Sequence, residues 1–254
     1  MRALFVGDVH NHSYIFEDIK KLDDKYHFDR IIFTGDYVDD WITDNHQSLE
    51  TLETVINLKR SNPEKYTFCI GNHELSYLGY PCSGHRYELD NIMNMKLKDN
   101  IDCFDLYTIV TLGDTDYVCT HAGINNDYVK HVLQGDWREE LKKLNKDKLA
   151  NLYLTTMCSY LRGGYNEFSS FLWCDKREHE YLNRFEEPTI PYQIVGHTPV
   201  ETIIALSSEN YTTYFIDTHS TYKDGSEYGD KSYLFWNENQ FEYLKRSEID
   251  ENKK

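Results

Sequence analysis

The chain has 254 residues, long enough for one α/β domain with a sizeable core. Hydrophobic residues make up 40 % of it and aromatic residues 15 %, which excludes the low-hydrophobicity class of disordered chains. The 27 Lys and Arg against 43 Asp and Glu give a formal net charge of −16, which disfavours binding of duplex nucleic acid because its phosphate backbone is also anionic.

Apolar runs that end in Gly, Asp or His predict buried strands in the first half of the chain. These runs lie at 3–6, 30–34, 66–70 and 117–120. Apolar residues at helical spacing within 15–22 and 49–58 predict a helix in each of the first two gaps between runs. The resulting βαβαβ order predicts an α/β fold.

The second half of the chain predicts covering helices followed by further strands. Segments 81–100 and 127–160 are charged and have mostly helical spacing, so we interpret them as helices that cover a site. Strands are predicted at 193–195, 211–216, 232–236 and 240–244. No repeat or Pro-, Gly- or Ser-rich linker divides the chain, so we predict one domain over residues 1–245 and a frayed tail over 246–254.

The six cysteines predict reduced thiols. None of them forms a CxxC spacing, and Cys69 and Cys119 lie inside strand-like apolar runs. The chain opens directly into a strand-like run without an extended apolar segment, so we expect neither a signal peptide nor a membrane span. Together these features predict a cytoplasmic protein.

Five strand-like runs lead into short motifs that carry possible metal ligands. In chain order they are Gly7-Asp8-Val9-His10, Gly35-Asp36-Tyr37-Val38-Asp39, Gly71-Asn72-His73-Glu74, His121-Ala122-Gly123 and Gly196-His197-Thr198. For one such residue, turn or cap chemistry is a sufficient explanation. The ordered combination is far more specific, and it favours metal binding at the carboxyl ends of strands.

In order and spelling these motifs resemble the calcineurin-like metallophosphoesterases. The resemblance is closest to the branch that contains the PPP-type Ser/Thr protein phosphatases and the bacterial diadenosine tetraphosphatases. Phe171-Leu172-Trp173 and Ile216-Asp217-Thr218 also match landmarks of that family, and the match spans nearly the whole chain. It implies an α/β fold of two facing β sheets flanked by helices, in a four-layer αββα arrangement.

The resemblance implies a centre with two divalent metal ions. Carried over by position, the ligands are Asp8, His10 and Asp36 for one ion and Asp36, Asn72, His121 and His197 for the other. The shared carboxylate agrees with the chemistry, since two ions about 3.5 to 4 Å apart need a common anionic oxygen. Oxygen and imidazole ligands without a thiolate permit Mn, Fe, Zn or Co, and the resemblance favours Mn.

His73 and Asp39 are the catalytic residues that the resemblance implies. His73 would protonate the leaving oxygen, oriented by the Asp39 carboxylate, after attack of a metal-bound hydroxide on phosphorus. A carboxylate beside an imidazole favours the protonated ring, and an unprotonated alkoxide is a poor leaving group. Glu74 is expected to orient its loop rather than to react.

One family feature is missing. Protein phosphatases usually follow GDxxD with a phosphate-binding arginine, whereas this chain has Asp40 and Trp41 after Asp39. The replacement candidates are Arg177, Lys176, Arg162 and Arg86. We favour Arg177, which follows the Phe-Leu-Trp landmark, and we expect it to bind phosphate together with Asn72. Asn11 and His219 stand where the family often has Gly, which predicts an altered substrate rim.

The resemblance implies hydrolysis of a phosphate monoester, and the spelling of GDYVD and GNHE favours a Ser/Thr phosphoprotein. The alternative substrate is a dinucleoside polyphosphate, nucleotide or RNA-end phosphate, favoured by the HAGI spelling at 121–124 and by the missing arginine. A non-enzyme alternative is an inactive metal-binding interaction module, which the presence of both His73 and Asp39 disfavours. The partners expected are a phosphorylated protein or a small phosphate ester, without a membrane. The sequence leaves the oligomeric state open.

Overall fold

The computed structural model describes residues 1–80 and 89–250. The strands are β1 (Arg2–Val6), β2 (Arg30–Phe33), β3 (Tyr66–Phe68), β4 (Thr108–Leu112), β5 (Thr115–Thr120), β6 (Tyr192–Val195), β7 (Ile204–Ser207), β8 (Thr212–Phe215), β9 (Ser232–Asn237) and β10 (Phe241–Lys245). The α-helices are α1 (Tyr14–Tyr26), α2 (Asn45–Ser61), α3 (Asn72–Tyr77), α4 (Asp90–Asp99), α5 (Asn126–Tyr128), α6 (Trp137–Lys146), α7 (Lys148–Asn151), α8 (Lys176–Leu182) and α9 (Arg246–Asp250). Short 3-10 segments lie at Ile101–Cys103, Leu152–Thr155 and Tyr160–Arg162, and a π-helical segment lies at Val129–Leu133.

Within the described residues the strands form two mixed five-stranded sheets, in the orders β10-β9-β1-β2-β3 and β4-β5-β6-β8-β7. Strands β1, β2 and β3 are parallel, and the antiparallel β9 and β10 extend that sheet. Strands β5, β6 and β8 are parallel, and β4 and β7 are antiparallel edges. Two mixed sheets with flanking helices confirm the predicted α/β fold.

The alternation of side chains along β1 explains how the sheets and helices pack. Ala3 and Phe5 belong to the buried cluster that joins the two sheets, which also contains Ile194. Leu4 and Val6 point the other way and belong to the cluster that the helices cover. Because both faces of the strand are buried, its sequence is continuously apolar rather than alternating, as the run at 3–6 shows.

The helices follow from local sequence signals. In α1, the apolar residues at positions 15, 19 and 22 lie on one buried face, and the helix ends at His27, which has a left-handed φ of 54°. Helix α2 begins at a capping box in which Asp44 accepts a hydrogen bond from the backbone N–H of Gln47. These helices cover the first sheet and connect its parallel strands.

Three features differ from the sequence prediction or fall outside it. The edge strands β4 and β7 were not predicted, since each is only partly buried and lacks a continuous apolar run. The tail predicted to fray over 246–254 instead forms α9 over its first five residues, where Arg246 lies 3.0 Å from a carboxylate oxygen of Asp18. Residues 81–88 of the predicted helical segment and 251–254 of the tail lie outside the described residues.

Two further expectations concern the cysteines and the membrane. The five cysteines in the described part of the chain are free thiols. No helix among residues 1–80 and 89–250 is both long enough and apolar enough to cross a bilayer.

The sheet interface predicts a large loss of stability for Phe5→Ala. Phe5 is fully buried, so its truncation leaves a cavity between the sheets, and we expect the free energy of unfolding to fall by about 3 to 5 kcal/mol. Urea unfolding measures this change. The matched control is Phe185→Ala, because Phe185 is 71 % exposed and its truncation should change stability by less than about 0.5 kcal/mol. Equal losses in both variants would contradict the described packing.

Candidate metal centre

The candidate ligands follow the carboxyl ends of parallel strands in both sheets. Asp8 follows β1, Asp36 follows β2, Asn72 opens α3 after β3, His121 follows β5, and His197 follows β6. All five are buried. The fold therefore brings residues that are up to 189 positions apart into one cluster, where the backbone N–H of His197 donates to Asp8 at 2.9 Å.

One group of possible ligand atoms surrounds Nε2 of His121. This nitrogen lies 2.8 Å from Oδ1 of Asn72, 3.0 Å from Nδ1 of His197 and 3.3 Å from Oδ2 of Asp36. Nε2 of His121 and Nδ1 of His197 are too close together for both of them to carry a proton. Convergence of these lone pairs suits a shared cation.

A second group shares Asp36. Nε2 of His10 lies 3.8 Å from a carboxylate oxygen of Asp36 and 3.8 Å from one of Asp8. The His73 ring stands edge-on to His10, with ring centroids 5.1 Å apart. Among the described residues, two groups can hold a metal ion, His10 with Asp36 and His73, and Asp36 with His121 and His197. Asp36 is the member that both groups contain.

Hydrogen bonds to backbone carbonyl oxygens determine which histidine ring nitrogens are available to bind a metal ion. Nδ1 of His10 donates to the carbonyl oxygen of Asp39 at 2.6 Å, and Nδ1 of His121 donates to that of Thr34 at 3.0 Å. In the neutral ring, each Nε2 then carries a lone pair directed at the cluster. Nε2 of His197 is buried, and it has no hydrogen-bond partner among residues 1–80 and 89–250. This donor set fits divalent cations with mixed oxygen and nitrogen ligands.

The loops of the cluster adopt a backbone conformation that non-glycine residues rarely take. His10, Asn11, Asp36, Asp39 and His197 have φ angles of 43°, 64°, 50°, 61° and 63°. Each such residue costs about 1 kcal/mol or more unless its surroundings hold it in place. Backbone strain is therefore concentrated where the side chains converge, as is common at functional sites.

Two glycines permit the carboxylates to approach the backbone closely. A Cβ atom on Gly196 would lie 2.2 Å from Oδ1 of Asp8, and one on Gly71 would lie 2.1 Å from Oδ1 of Asp36. Both distances are far below van der Waals contact. These motif glycines are therefore required by the position of the ligand carboxylates as well as by turn geometry.

The Glu74 carboxylate holds two loops together. It accepts hydrogen bonds from the backbone N–H groups of Asp36, Tyr37, Val38 and Gly71 at 2.7 to 3.2 Å. Glu74 is fully buried and faces these amides rather than the cavity. Its position agrees with the expectation that it orients the loop rather than reacts.

Burial and mutual repulsion shape the charges of the cluster. Burial raises the pKa of Asp8 well above its usual range, and the carboxylates of Asp217 and Asp36 raise it further. Burial also acts to raise the pKa of Asp36, but His121 and His73 outweigh it, so this pKa lies well below its usual range. Carboxylates packed this closely, away from water, are stabilised by bound cations.

His73 and Asp39 lie together beside the cluster, as the motif order predicts. Nδ1 of His73 is 3.0 Å from Oδ2 of Asp39, and the Tyr77 hydroxyl donates to the other oxygen of Asp39 at 2.5 Å. Burial lowers the pKa of His73, but the Asp36 charge and the bond to Asp39 outweigh it and raise the pKa to about 9. These contacts favour the protonated ring.

A cavity of about 270 Å³ opens over these side chains. Its walls include four of the six candidate metal ligands, both members of the His73–Asp39 pair, and two tryptophans. The lining residues are His10, Asp36, Asp39, Asp40, Trp41, Asn72, His73, Arg162, Trp173, His197, Pro199, Asp217, Ser220 and Thr221. A phosphate group and part of its leaving group fit into this volume.

The four cations considered as replacements for the missing arginine have different positions. Arg162 lines the cavity, whereas Arg177, the favoured candidate, lies outside the lining and bonds Asp175 and the carbonyl oxygen of Leu161. The Lys176 ammonium pairs with Glu180. Arg86 lies outside the described residues. The structure thus brings Arg162, rather than Arg177, to the candidate metal ligands.

Several cavity residues had no role in the sequence prediction. Asp217 follows β8, is fully buried, and accepts hydrogen bonds from the Ser220 hydroxyl at 2.8 and 3.0 Å. Its Ile-Asp-Thr motif was the signal that could have identified it.

Asn11 and His219, predicted at a substrate rim, are both buried. Asn11 donates from its side-chain amide to the hydroxyls of Thr43 and Ser48, so it supports the loop.

The sequence and fold were compared with known proteins. A sequence model of the calcineurin-like phosphoesterases matches residues 1–201. The serine/threonine-protein phosphatase 6 catalytic subunit of Drosophila melanogaster is 23 % identical over 209 residues, which are 80 % of this chain and 59 % of that protein. The chain therefore spans less than two thirds of this curated relative.

Solved structures share the fold. The cold-active protein-tyrosine phosphatase of a psychrophilic Shewanella species has a TM-score of 0.56 and 18 % identity, over 96 % of this chain and 80 % of that chain. A second structure of a cold-active protein tyrosine phosphatase, at 1.1 Å, has a TM-score of 0.55 and 17 % identity, over 96 % and 78 % of the two chains. At these identities the likeness shows the fold alone.

The close approach of Asp8 to Gly196 predicts that Gly196→Ala weakens metal binding. The added methyl group overlaps the Asp8 carboxylate and must displace it, so we expect the dissociation constant for Mn²⁺ to rise at least about tenfold. Isothermal titration calorimetry of the purified variant measures it. The control is Gly135→Ala, where the added atom meets nothing closer than 3.9 Å. Unchanged Mn²⁺ affinity in a folded Gly196→Ala protein would contradict a ligand role for Asp8.

Proposed function

Because this chain belongs to the calcineurin-like phosphoesterase family, we propose that it is a binuclear metal-dependent phosphatase that hydrolyses phosphate monoesters of the Ser/Thr phosphoprotein kind. The family match confirms the resemblance carried by the five motifs. The observation that carries the proposal is the position of Asp36, which is common to both groups of possible ligands, whereas His73, the third member of one group, is engaged by Asp39.

The proposed ligands are those of the motif order. Asp8, His10 and Asp36 hold one ion, and Asp36, Asn72, His121 and His197 hold the other, with Mn as the metal expected to support activity. Divalent ions bound there supply Lewis-acid polarisation of a phosphoryl oxygen and lower the pKa of an attacking water. The contribution of the protein is to hold the carboxylates and rings in place before substrate enters.

His73 is the proposed general acid. Its Nδ1 atom is engaged by Asp39, which leaves the Nε2 proton for the oxygen of the leaving group. Asp39 is itself fixed by Tyr77, so the ring has little freedom to rotate. Proton donation matters most for an alkyl leaving group, such as the side chain of serine, because the free alkoxide is strongly basic.

Arg162 is the proposed phosphate-binding cation, in place of the arginine missing after Asp39. Its Nη2 atom donates to the carbonyl oxygen of His197 and to the hydroxyl of Thr198, which fixes the guanidinium beside a proposed metal ligand. A guanidinium held in this way can donate hydrogen bonds to a phosphate oxygen with little further loss of side-chain entropy. Asn72, which also lines the cavity, is the proposed second phosphate contact.

The phosphomonoester has a competing candidate, a dinucleoside polyphosphate. In favour of the nucleotide, Trp41 and Trp173 line the cavity and could stack against a base. In favour of the monoester, Arg162 is the one Arg or Lys among the described lining residues, whereas Asp40 adds negative charge that would repel further phosphates. The relative in Drosophila is also named as a Ser/Thr phosphatase.

The substrate assignment is tested with Mn-loaded protein on a set of phosphoserine and phosphothreonine peptides and on a diadenosine polyphosphate. We expect phosphate release from the peptides, and a loss of at least about 10³-fold in Asp36→Asn, because the carboxylate that both groups share is gone. Faster cleavage of the dinucleotide would instead identify the enzyme as a nucleotide hydrolase. Bound metal without turnover of either substrate would favour the interaction module.

The role of His73 is tested by comparing leaving groups. We expect His73→Ala to lower kcat for a phosphoserine peptide by about 10²- to 10⁴-fold. For p-nitrophenyl phosphate the loss should be much smaller, because p-nitrophenolate leaves readily without a proton. Steady-state kinetics on both substrates give the ratio. An equal loss on the two substrates would argue against a proton donor and for a role in metal or substrate placement.

A further inference from the structure

Two arginines share the carboxylate of Asp175 at the edge of the cavity. Nε of Arg177 donates to Oδ1 at 2.8 Å, and its Nη2 donates to Oδ2 at 3.1 Å. Nε of Arg162 lies 2.8 Å from Oδ2 on the other side, although its N–H does not point at that oxygen. The three side chains form a cluster in which one carboxylate lies between two guanidinium groups.

The contacts within this cluster determine its net charge. Asp175 is buried, and burial acts to raise its pKa, but the hydrogen bonds and charges of Arg177 and Arg162 outweigh burial and lower it. The carboxylate is therefore ionised at neutral pH, and both guanidinium groups are charged. Two positive charges and one negative charge leave the cluster with a net charge of +1.

The two arginines occupy different places around Asp175. Arg162 lines the cavity, whereas the side chain of Arg177 is 57 % exposed and lies outside the lining. Arg177 also donates from Nη2 to the carbonyl oxygen of Leu161, the residue before Arg162. It is thus linked to Arg162 through the carboxylate and through the backbone, without facing the substrate.

We propose that Arg177 is a positioning residue that acts on phosphate through Asp175, by neutralising this carboxylate so that Arg162 retains its full attraction for the substrate anion. Without Arg177, Arg162 and Asp175 would form a neutral pair beside the cavity, and the incoming phosphate would face that pair rather than a net cation. The inference rests on the proposed function, in which Arg162 binds phosphate.

Helix stability does not account for Arg177. The residue is in the first turn of α8, directly after Lys176 and the cap Asp175. A cation there opposes the helix dipole, so a purely helical role predicts that Arg177→Ala is neutral or slightly stabilising. Its two bonds to Asp175 therefore indicate a contribution to charge and orientation at the cavity.

The experiment uses the Mn-loaded full chain and measures Ki for inorganic phosphate together with KM and kcat for p-nitrophenyl phosphate. For Arg177→Ala we expect Ki and KM to rise about three- to tenfold, because one partly screened unit charge near the cavity is lost, and we expect kcat to change less than about twofold. Arg177→Lys retains the charge and should restore most of the phosphate affinity.

The matched control is Arg60→Ala. Arg60 is also an exposed arginine paired through two nitrogens with one carboxylate, that of Asp102, but it is not among the cavity residues. Its removal deletes the same charge and should leave Ki and KM unchanged. A rise in Ki equal to that of Arg177→Ala would show a general charge effect and overturn the inference.

A double variant separates charge from structure. In Asp175→Asn/Arg177→Ala the buried negative charge is gone together with its partner, so Arg162 again provides net positive charge, and Ki should return towards the wild-type value. Further loss of phosphate affinity in the double variant, with the protein still folded by thermal melting, would overturn the inference.

Arg162→Ala distinguishes this inference from the proposed function. If Arg162→Ala raises Ki while Arg177→Ala does not, the inference fails and the phosphate role of Arg162 stands. If neither variant changes Ki, the proposed phosphate site itself is wrong. If both raise Ki and Arg177→Lys restores it, the action of Arg177 through Asp175 is supported.

Discussion

The burial of two carboxylates beside each other is the constraint on which the rest of the structure depends. Asp8 and Asp36 follow neighbouring parallel strands, and each is held by a backbone amide from elsewhere in the chain. The N–H of His197 donates to Asp8 across the two sheets, and the N–H of His73 donates to Asp36. Close packing of these charges requires the glycines, the left-handed residues and the convergent imidazoles around them.

The two-sheet architecture is what makes this convergence possible. Parallel strands present all their carboxyl ends at one edge, and packing two such sheets face to face places two rows of strand ends together. The first sheet supplies Asp8, His10, Asp36 and Asn72, while the second supplies His121 and His197. The second sheet thus adds two imidazoles to the carboxylates, the amide and the imidazole of the first.

Some parts of the site could be predicted from the sequence, because only a few residue types at the ends of strands have the chemistry to bind a metal ion. Each motif begins or ends at a buried apolar run, so the fold class and the convergence of the candidate ligands could be inferred together. Arg162 lies on a 3-10 turn outside any such motif, and its direction depends on contacts with residues far along the chain. Arg177 was placed near the right landmark, but the cap of α8 turns its side chain towards Asp175, which spacing cannot reveal.

Some elements of the fold also could not be predicted from residue spacing. Strands β4 and β7 are partly exposed edges, so their side chains carry a weaker apolar signal than the central strands. Helix α9 depends on Arg246, whose guanidinium packs over the Tyr14 ring and reaches Asp18 in a helix more than 200 residues earlier. Elements held by long-range polar contacts leave little local pattern in the sequence.

The carboxylate of Glu74 has a consequence for the order in which the protein is assembled. Because it accepts hydrogen bonds from four backbone amides in the loops after β2 and β3, it joins those loops to each other when α3 packs. In small zinc domains the metal itself drives folding. Here a side chain of the protein links the loops instead, so we expect chelation to empty the proposed centre without unfolding the chain.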